Sequence, residues 1–164
     1  MAARQTTGRS KLRSQRALAA LLRRQQARGK RVVLTSGCYD LLHVGHLRGF
    51  EEARRQGDVL VVGVNRDQRV RELKGRGRPL VPERQRAELI GGLACVDYVV
   101  LFAEDHAGPL IGRLAPDVFC KGGDYRGREI AEQPALDAAG GRIHYLRLIP
   151  GVRTTRLLAR ARRA

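Results

Sequence analysis

The sequence predicts an α/β fold: a parallel sheet of five strands with helices on both faces, in a single domain. Three observations carry that expectation. Apolar runs of about five residues recur along the chain, as strands buried on both faces require. Between them lie stretches of about ten residues with helical spacing or helix-start chemistry. The length of 164 residues suits one core of ordinary size, without disulfides or metals.

The elements follow in order. Residues 1–9 have no apolar pattern and are expected to form a disordered basic tail. In residues 10–29, Leu12, Leu18, Leu21 and Leu22 fall near one face, Arg occupies the others and Gly29 stops the run, which reads as an amphipathic leader helix. The domain proper is expected over 30–164. Val32-Val33-Leu34 is its first buried strand, ended by Gly37, and a helix runs from about Val44 to Gln56. Val59–Val64 is the second strand, followed by a polar helix to Leu73 and the loop Gly75–Pro79. Pro82 opens a helix reaching about Ala94, because proline fits the first helical turn. Val96–Phe102, Asp117–Cys120 and Ile143–Leu148 supply three more strands; His106–Leu114 and the stretch from Thr154 to the end are helical.

Composition narrows the chemistry. There are 32 Lys and Arg against 16 Asp and Glu, a formal net charge of +16. That balance alone suggests a nucleic-acid or anionic-membrane binder. Its distribution argues otherwise: residues 1–29 hold eight basic residues and residues 142–164 hold seven, with no acid in either segment. The 17 remaining basic residues share 30–141 with all 16 acids, so the middle of the chain is nearly neutral. Aromatic residues are 4%, and stacking aromatics interleaved with basic residues are missing, so no specific nucleic-acid partner is expected. No apolar run is long enough for a membrane span. Cys38, Cys95 and Cys120 form no Cys-x-x-Cys pair; they read as small buried side chains in a reducing, cytoplasmic compartment.

In such a sheet, ligands bind beyond the carboxyl ends of the strands, so the segment after the first strand carries most weight. It reads Thr35-Ser36-Gly37-Cys38-Tyr39-Asp40-Leu41-Leu42-His43-Val44-Gly45-His46. Two histidines three apart at a helix start put both imidazoles beside free backbone N–H groups. Gly45 removes a side chain where a ligand could approach the backbone. A helix start with donors and partial positive charge favours phosphate, and imidazole N–H groups can follow charge as it develops there. The plainer alternative is a pair of ordinary surface or capping histidines.

The segment resembles the signature of the His-x-Gly-His nucleotidyltransferases, which include cytidylyltransferases, pantetheine-phosphate adenylyltransferase and sugar-phosphate adenylyltransferases. The resemblance implies a Rossmann-like sheet. It also implies attack by a substrate phosphate oxygen on the α-phosphorus of a nucleoside triphosphate, releasing pyrophosphate without a covalent enzyme intermediate. Further segments resemble the heptose 1-phosphate adenylyltransferase branch. Leu73-Lys74-Gly75, Arg78-Pro79 and Arg86 look like its phosphate-binding loop and helix, and Cys95-Val96-Asp97 like its Val-Asp pair. Lys121-Gly122-Gly123-Asp124-Tyr125 and Thr154-Thr155 look like its nucleotide segments. Together the likeness covers about residues 30–160.

The resemblance implies catalytic roles for His43, His46, Lys74 and Arg86. It implies nucleotide contacts from Thr35, Ser36, Gly37, Cys38, Tyr39, Gly45, Lys121, Gly122, Gly123, Asp124, Arg153, Thr154 and Thr155. Asp40, Arg78 and Asp97 would meet the acceptor. Each has a plainer reading: Asp40 in a turn, Asp124 and the threonines as helix caps, Lys74 as a solvated lysine, Gly122-Gly123 as a turn. The sequence departs from the branch at Arg153, where Ser is usual, at Ser36, where Asn is usual, and at Tyr39, where Phe is usual. Arg153 at a helix start opposes the helix dipole unless an anion sits there, which predicts contact with the nucleotide's phosphates, and Arg156 is expected to face the same triphosphate.

No metal-ligand spacing is present; Mg2+ is expected to travel with the nucleotide on phosphate oxygens and water. The expected partners are ATP and a sugar 1-phosphate, with a homodimer left open by the resemblance and no membrane. Bifunctional relatives carry a sugar-kinase domain that these residues do not resemble, so a separate kinase is expected. Two other readings stay in play: a cytidylyltransferase acting on a polyol or amino-alcohol phosphate, and a basic nucleic-acid-binding module.

Overall fold

A computed structural model describes residues 7–161 and 163. The sheet has six parallel strands, not the expected five, in the order β1-β4-β3-β2-β5-β6: β1 (Leu12–Arg13), β2 (Val32–Gly37), β3 (Val59–Asn65), β4 (Tyr98–Phe102), β5 (Val118–Gly122) and β6 (Arg142–Leu146). Strand β2 pairs with both β3 and β5. The order therefore turns back on either side of β2, and a crevice opens beyond the carboxyl ends of β2 and β5.

The additional strand is β1, which pairs with β4 through Leu12–Val99 and Arg13–Val100. Two residues have no period to read, and Leu12 fits the leader helix's apolar face equally well. The leader instead divides into α1 (Gly8–Lys11), β1 and α2 (Gln15–Gln26). Ser14 sets the division: its side chain caps α2 by accepting from the Ala17 N–H at 3.3 Å, a standard N-cap bond. The Lys11 ammonium donates to the carbonyls of Leu93 (3.1 Å) and Val96 (2.7 Å), so residues 8–13 are built into the domain. Of the tail expected over 1–9, residues 1–6 lie outside the described residues.

Helices α3 (Val44–Arg54) and α5 (Glu83–Gly91) cover one face of the sheet; α2, α6 (Gly108–Leu114) and α7 (Gln133–Ala138) cover the other. Alternation sorts the strand residues between them: Val32 and Leu34 face α2 and α6, while Val33 faces α3. Leu18 and Leu22 of the leader are fully buried, which explains why α2 forms despite its arginines: the apolar stripe is covered and Arg16, Arg23, Arg24 and Arg28 stay in solvent. Helix α7 was not foreseen; Pro134 in its first turn is its clearest sequence mark. The remaining helices are α4 (Asp67–Lys74) and α8 (Thr154–Ala161), with one 3₁₀ turn at Gly123–Tyr125. Among the described residues, no helix is long and apolar enough to cross a membrane.

Candidate active site

The chain leaves β2 through Cys38 and Tyr39, and Tyr39 takes a left-handed backbone at φ 48°, uncommon for a bulky residue. That turn aims the next segment into α3. His43 caps α3: its Nδ1 accepts from the His46 N–H at 3.4 Å, a long bond that leaves Nε2 as the N–H of the neutral ring. The His43 and His46 rings stack 3.8 Å apart at 14°. Tyr39 meets His46 edge-on at 5.2 Å and packs on Phe50 at 5.1 Å, so the pair is anchored to the buried side of α3. A Cβ on Gly45 would stand 3.0 Å from the His43 ring and 3.4 Å from Val152; Gly45 is needed where the imidazole folds over its own helix.

Burial, and next the neighbouring His43, push His46 down to about 4. Burial also lowers His43. Both rings are thus neutral near pH 7, hydrogen-bond donors rather than cations. His46 Nδ1 is buried with no partner among the described residues. An unsatisfied buried nitrogen at a cleft is what a ligand-binding group looks like when free.

The pair opens onto a cleft of about 760 Å³, within the range of small-molecule sites (roughly 300–1,000 Å³). One wall is the start of α3 with His43, Gly45 and His46; Lys74 and Asp124 stand at the margin; the Arg147–Arg156 segment closes the other side. Two helix starts, α3 and α8, therefore meet one cavity. Arg153 directly precedes α8, and its carbonyl accepts from the Arg156 and Leu157 N–H groups. Lys74, Arg147, Arg153 and Arg156 face a single carboxylate, Asp124. Helix-start N–H groups plus an excess of cations make a site for a highly charged anion.

The other expected residues are placed differently. Arg86 is fully buried, and its guanidinium donates to the Asp67 carboxylate (2.6 Å), the Val81 carbonyl (2.8 Å) and the Cys38 carbonyl. It clasps three site segments together and does not line the cleft. Asp40, also buried, accepts from the Leu80 N–H (2.6 Å) and the Val81 N–H (3.2 Å) and pairs with Arg78. Asp40 and Arg78 thus hold the loop after α4. Thr35, Ser36, Gly37, Cys38 and Tyr39 end β2 and form the turn beneath the histidines. Cys38 Sγ lies 3.7 Å from Asn65, and burial raises its thiol, so it is no ready nucleophile.

Lys121 bonds to the buried Glu132 and lies 4.4 Å from the Tyr125 ring centre, turned from the cleft. A Cβ on Gly123 would meet the Leu146 carbonyl at 2.6 Å; this glycine admits the neighbouring strand. Asp97 does not join the others. It precedes β4 at the amino end of the sheet, where its carboxylate accepts from the Leu60 N–H at 2.8 Å and lies 3.4 Å from Arg54. The sequence reading missed Arg147 and the Leu148–Val152 turn. Their available signal was Pro150-Gly151 after a strand, inside an acid-free basic run.

Comparison with known proteins agrees with this geometry. Residues 34–140 match the family described as cytidylyltransferase-like. The chain is 44% identical over 151 residues to the bifunctional protein HldE of Syntrophotalea carbinolica, covering 92% of this chain and 31% of the relative. Against the protein of the same name from Alkalilimnicola ehrlichii it is 48% identical over 139 residues, covering 85% and 29%. The chain thus spans about a third of the length of these relatives. A solved structure from Thermoplasma volcanium, titled a lipopolysaccharide core biosynthesis protein, superposes with TM-score 0.65 at 29% identity, over 74% of this chain and 99% of that one. With its stacked histidines at the first helix after the switch strand and this match over most of its length, the chain belongs to the cytidylyltransferase-like family.

Proposed function

We propose that the chain transfers the adenylyl group of ATP to a heptose 1-phosphate, giving ADP-heptose and pyrophosphate. The observation that carries the reading is the neutral, stacked His43–His46 pair facing the start of α8 across a cationic cleft. A phosphate oxygen of the sugar phosphate attacks the α-phosphorus; the bond from that phosphorus to the oxygen bridging to the β-phosphate breaks, and pyrophosphate leaves with the electron pair. Such a reaction asks for positioning and charge stabilisation more than covalent help.

The cleft supplies both. His43 Nε2–H and the imidazole N–H of His46 donate to phosphate oxygens, without adding a charge that would bind ground state and transition state alike. Lys74, Arg147, Arg153 and Arg156 offset the charge of the β- and γ-phosphates, and Thr154 and Thr155 add donors at the α8 start. Asp124, in the cleft lining, accepts from a ribose hydroxyl in this reading. The residues fit a metal that arrives with its nucleotide: one carboxylate borders the cleft, too few protein oxygens for a resident Mg2+ but sufficient beside phosphate oxygens and water. When bound, Mg2+ would neutralise phosphate charge. Arg86 and Asp40 act at one remove, keeping the His43 turn and the Lys74 loop in register.

The adenine preference and heptose acceptor draw support from the Lys121–Tyr125 segment's resemblance and from relatives that share over two-fifths of their aligned residues. The test is pyrophosphate release across a panel of triphosphates and phosphorylated acceptors. ATP with heptose 1-phosphate is expected to be the preferred pair. Turnover of CTP with glycerol 3-phosphate, and none with the expected pair, would overturn the assignment in favour of cytidylyl transfer.

A further inference from the structure

A second cavity, of about 460 Å³, lies along the edge strand β6 beside the last turns of α3. It is lined by Glu52, Arg55, Arg126, His144, Tyr145 and Arg147, and Arg147 also belongs to the active-site cleft. Its floor is fixed by one carboxylate. Glu52 takes a hydrogen bond from His144 Nε2 at 2.9 Å and another from the Arg147 N–H at 3.0 Å, which ties α3 to β6. Burial alone would raise the Glu52 carboxyl, but those two hydrogen bonds, together with the charges of His144 and Arg147, outweigh it and hold it below the usual range.

With Glu52 engaged, the guanidinium groups of Arg55, Arg126 and Arg147 have no carboxylate partner among the described residues. The Arg126 guanidinium lies 5.4 Å from the Tyr145 ring centre, a cation–π placement that steadies the side chain while its N–H edge stays available. Three guanidinium groups share the hollow with a single carboxylate, Glu52, so the lining keeps an excess of positive charge that an entering anion would offset. Their planar forks match phosphate oxygens in pairs, and the Tyr145 hydroxyl can add a further donor. The lining has no large aliphatic side chain, which disfavours an apolar ligand, and the volume suits a small molecule.

We propose that this cavity is a second anion site that takes a small phosphorylated ligand, separate from the triphosphate cleft and adjoining it at Arg147. The chemistry is shared by pyrophosphate, inorganic phosphate and a sugar phosphate. Calorimetric titration of the full chain with each of these, at low ionic strength and with the cleft saturated by a non-hydrolysable ATP analogue, tests it. One equivalent of phosphate-dependent binding is expected to remain. The double variant Arg55→Glu, Arg126→Glu is expected to weaken it about tenfold or more, as loss of charge-assisted hydrogen bonds does. Both side chains are exposed, so the fold should tolerate the changes; Arg55→Gln with Arg126→Gln gives the same test without charge reversal.

Tighter binding of pyrophosphate than of glucose 1-phosphate would support the site and name the released product as its ligand; the reverse order would support it and name a sugar phosphate. No binding once the cleft is filled, unchanged affinity in both double variants, or equal heats with acetate would overturn it. The site does not depend on which nucleotide the cleft takes. Titrations without the analogue, wild type against variant, therefore test it even if adenylyl transfer fails the substrate panel.

Discussion

The two ends of the parallel sheet use the same residue types in opposite ways. At the amino ends, aspartates meet backbone. Asp58 accepts from the Arg31 N–H (2.9 Å), Asp97 from the Leu60 N–H (2.8 Å) and Asp117 from the Val32 N–H (2.7 Å). Each carboxylate answers an N–H at or beside a strand start, so this end is closed. At the carboxyl ends the balance inverts. Helix-start N–H groups and four cationic side chains face one carboxylate, and His46 Nδ1 has no partner among the described residues. Polar groups that satisfy one another stabilise a fold; polar groups held without partners are available to a ligand, and the fold must keep them in place.

Arg86 is where that support is greatest. Replacing Arg86 with Ala strands the Asp67 carboxylate and two carbonyls and empties a buried volume, and should cost about 3–5 kcal/mol in denaturant unfolding. Lys should not rescue it, because one ammonium cannot span three acceptors on different segments. A stability loss this size with nucleotide affinity altered only in proportion to the unfolded fraction marks a clasp; lost affinity in fully folded protein would place Arg86 on the ligand.

His43→Ala and His46→Ala should act the other way. Turnover should fall roughly 100- to 1,000-fold each, as for loss of preorganised donors, with circular dichroism unchanged. A loss under tenfold would remove the pair from the transition state and weaken the contrast between the two ends.

Asp97→Ala sharpens the contrast from the closed end. It leaves the Leu60 N–H unanswered, a cost of about 1–3 kcal/mol. The KM for either substrate should not move; a rise in acceptor KM would return Asp97 to substrate binding despite its position.

A further effect falls on acid stability. His46 has its pKa lowered from 6.5 to about 4, so between those values the unfolded chain binds a proton that the folded chain refuses. The contribution is complete above pH 6.5, declines as the solution is acidified and is lost by about pH 4. His46→Gln should therefore flatten the fall in melting temperature between pH 7 and 4 relative to wild type, and a parallel fall would show that other groups govern it.

Much of this was legible in the chain, for local reasons. Val32–Leu34 and Val59–Val64 are apolar without interruption because both sheet faces are covered, so β2 and β3 read directly. His43 and His46 announce themselves because an i, i+3 pair at a helix start has its geometry set by a single turn. Strand β1 did not read, because its two residues are extended only through pairing with β4. Asp97 misled because adjacency to a strand does not say which end of the sheet is meant. Arg147 was counted as terminal charge, since no spacing rule connects it to residues 43–46.

The sequence by itself determined the alternation of strands and helices, the histidine pair and the placing of excess charge at the chain's two ends. Each rests on interactions within a few residues: periodicity, capping, composition. Only the tertiary structure decided which charges face protein and which face a ligand. Arg86 finds Cys38 from 48 residues away and Asp40 finds Leu80 from 40, and burial with those partners makes them internal clasps. Arg153 and Arg156 meet no carboxylate among the described residues and line the cleft opposite His43. A guanidinium's role follows from its burial and its nearest acceptor, and both are set by segments that the chain brings together only on folding.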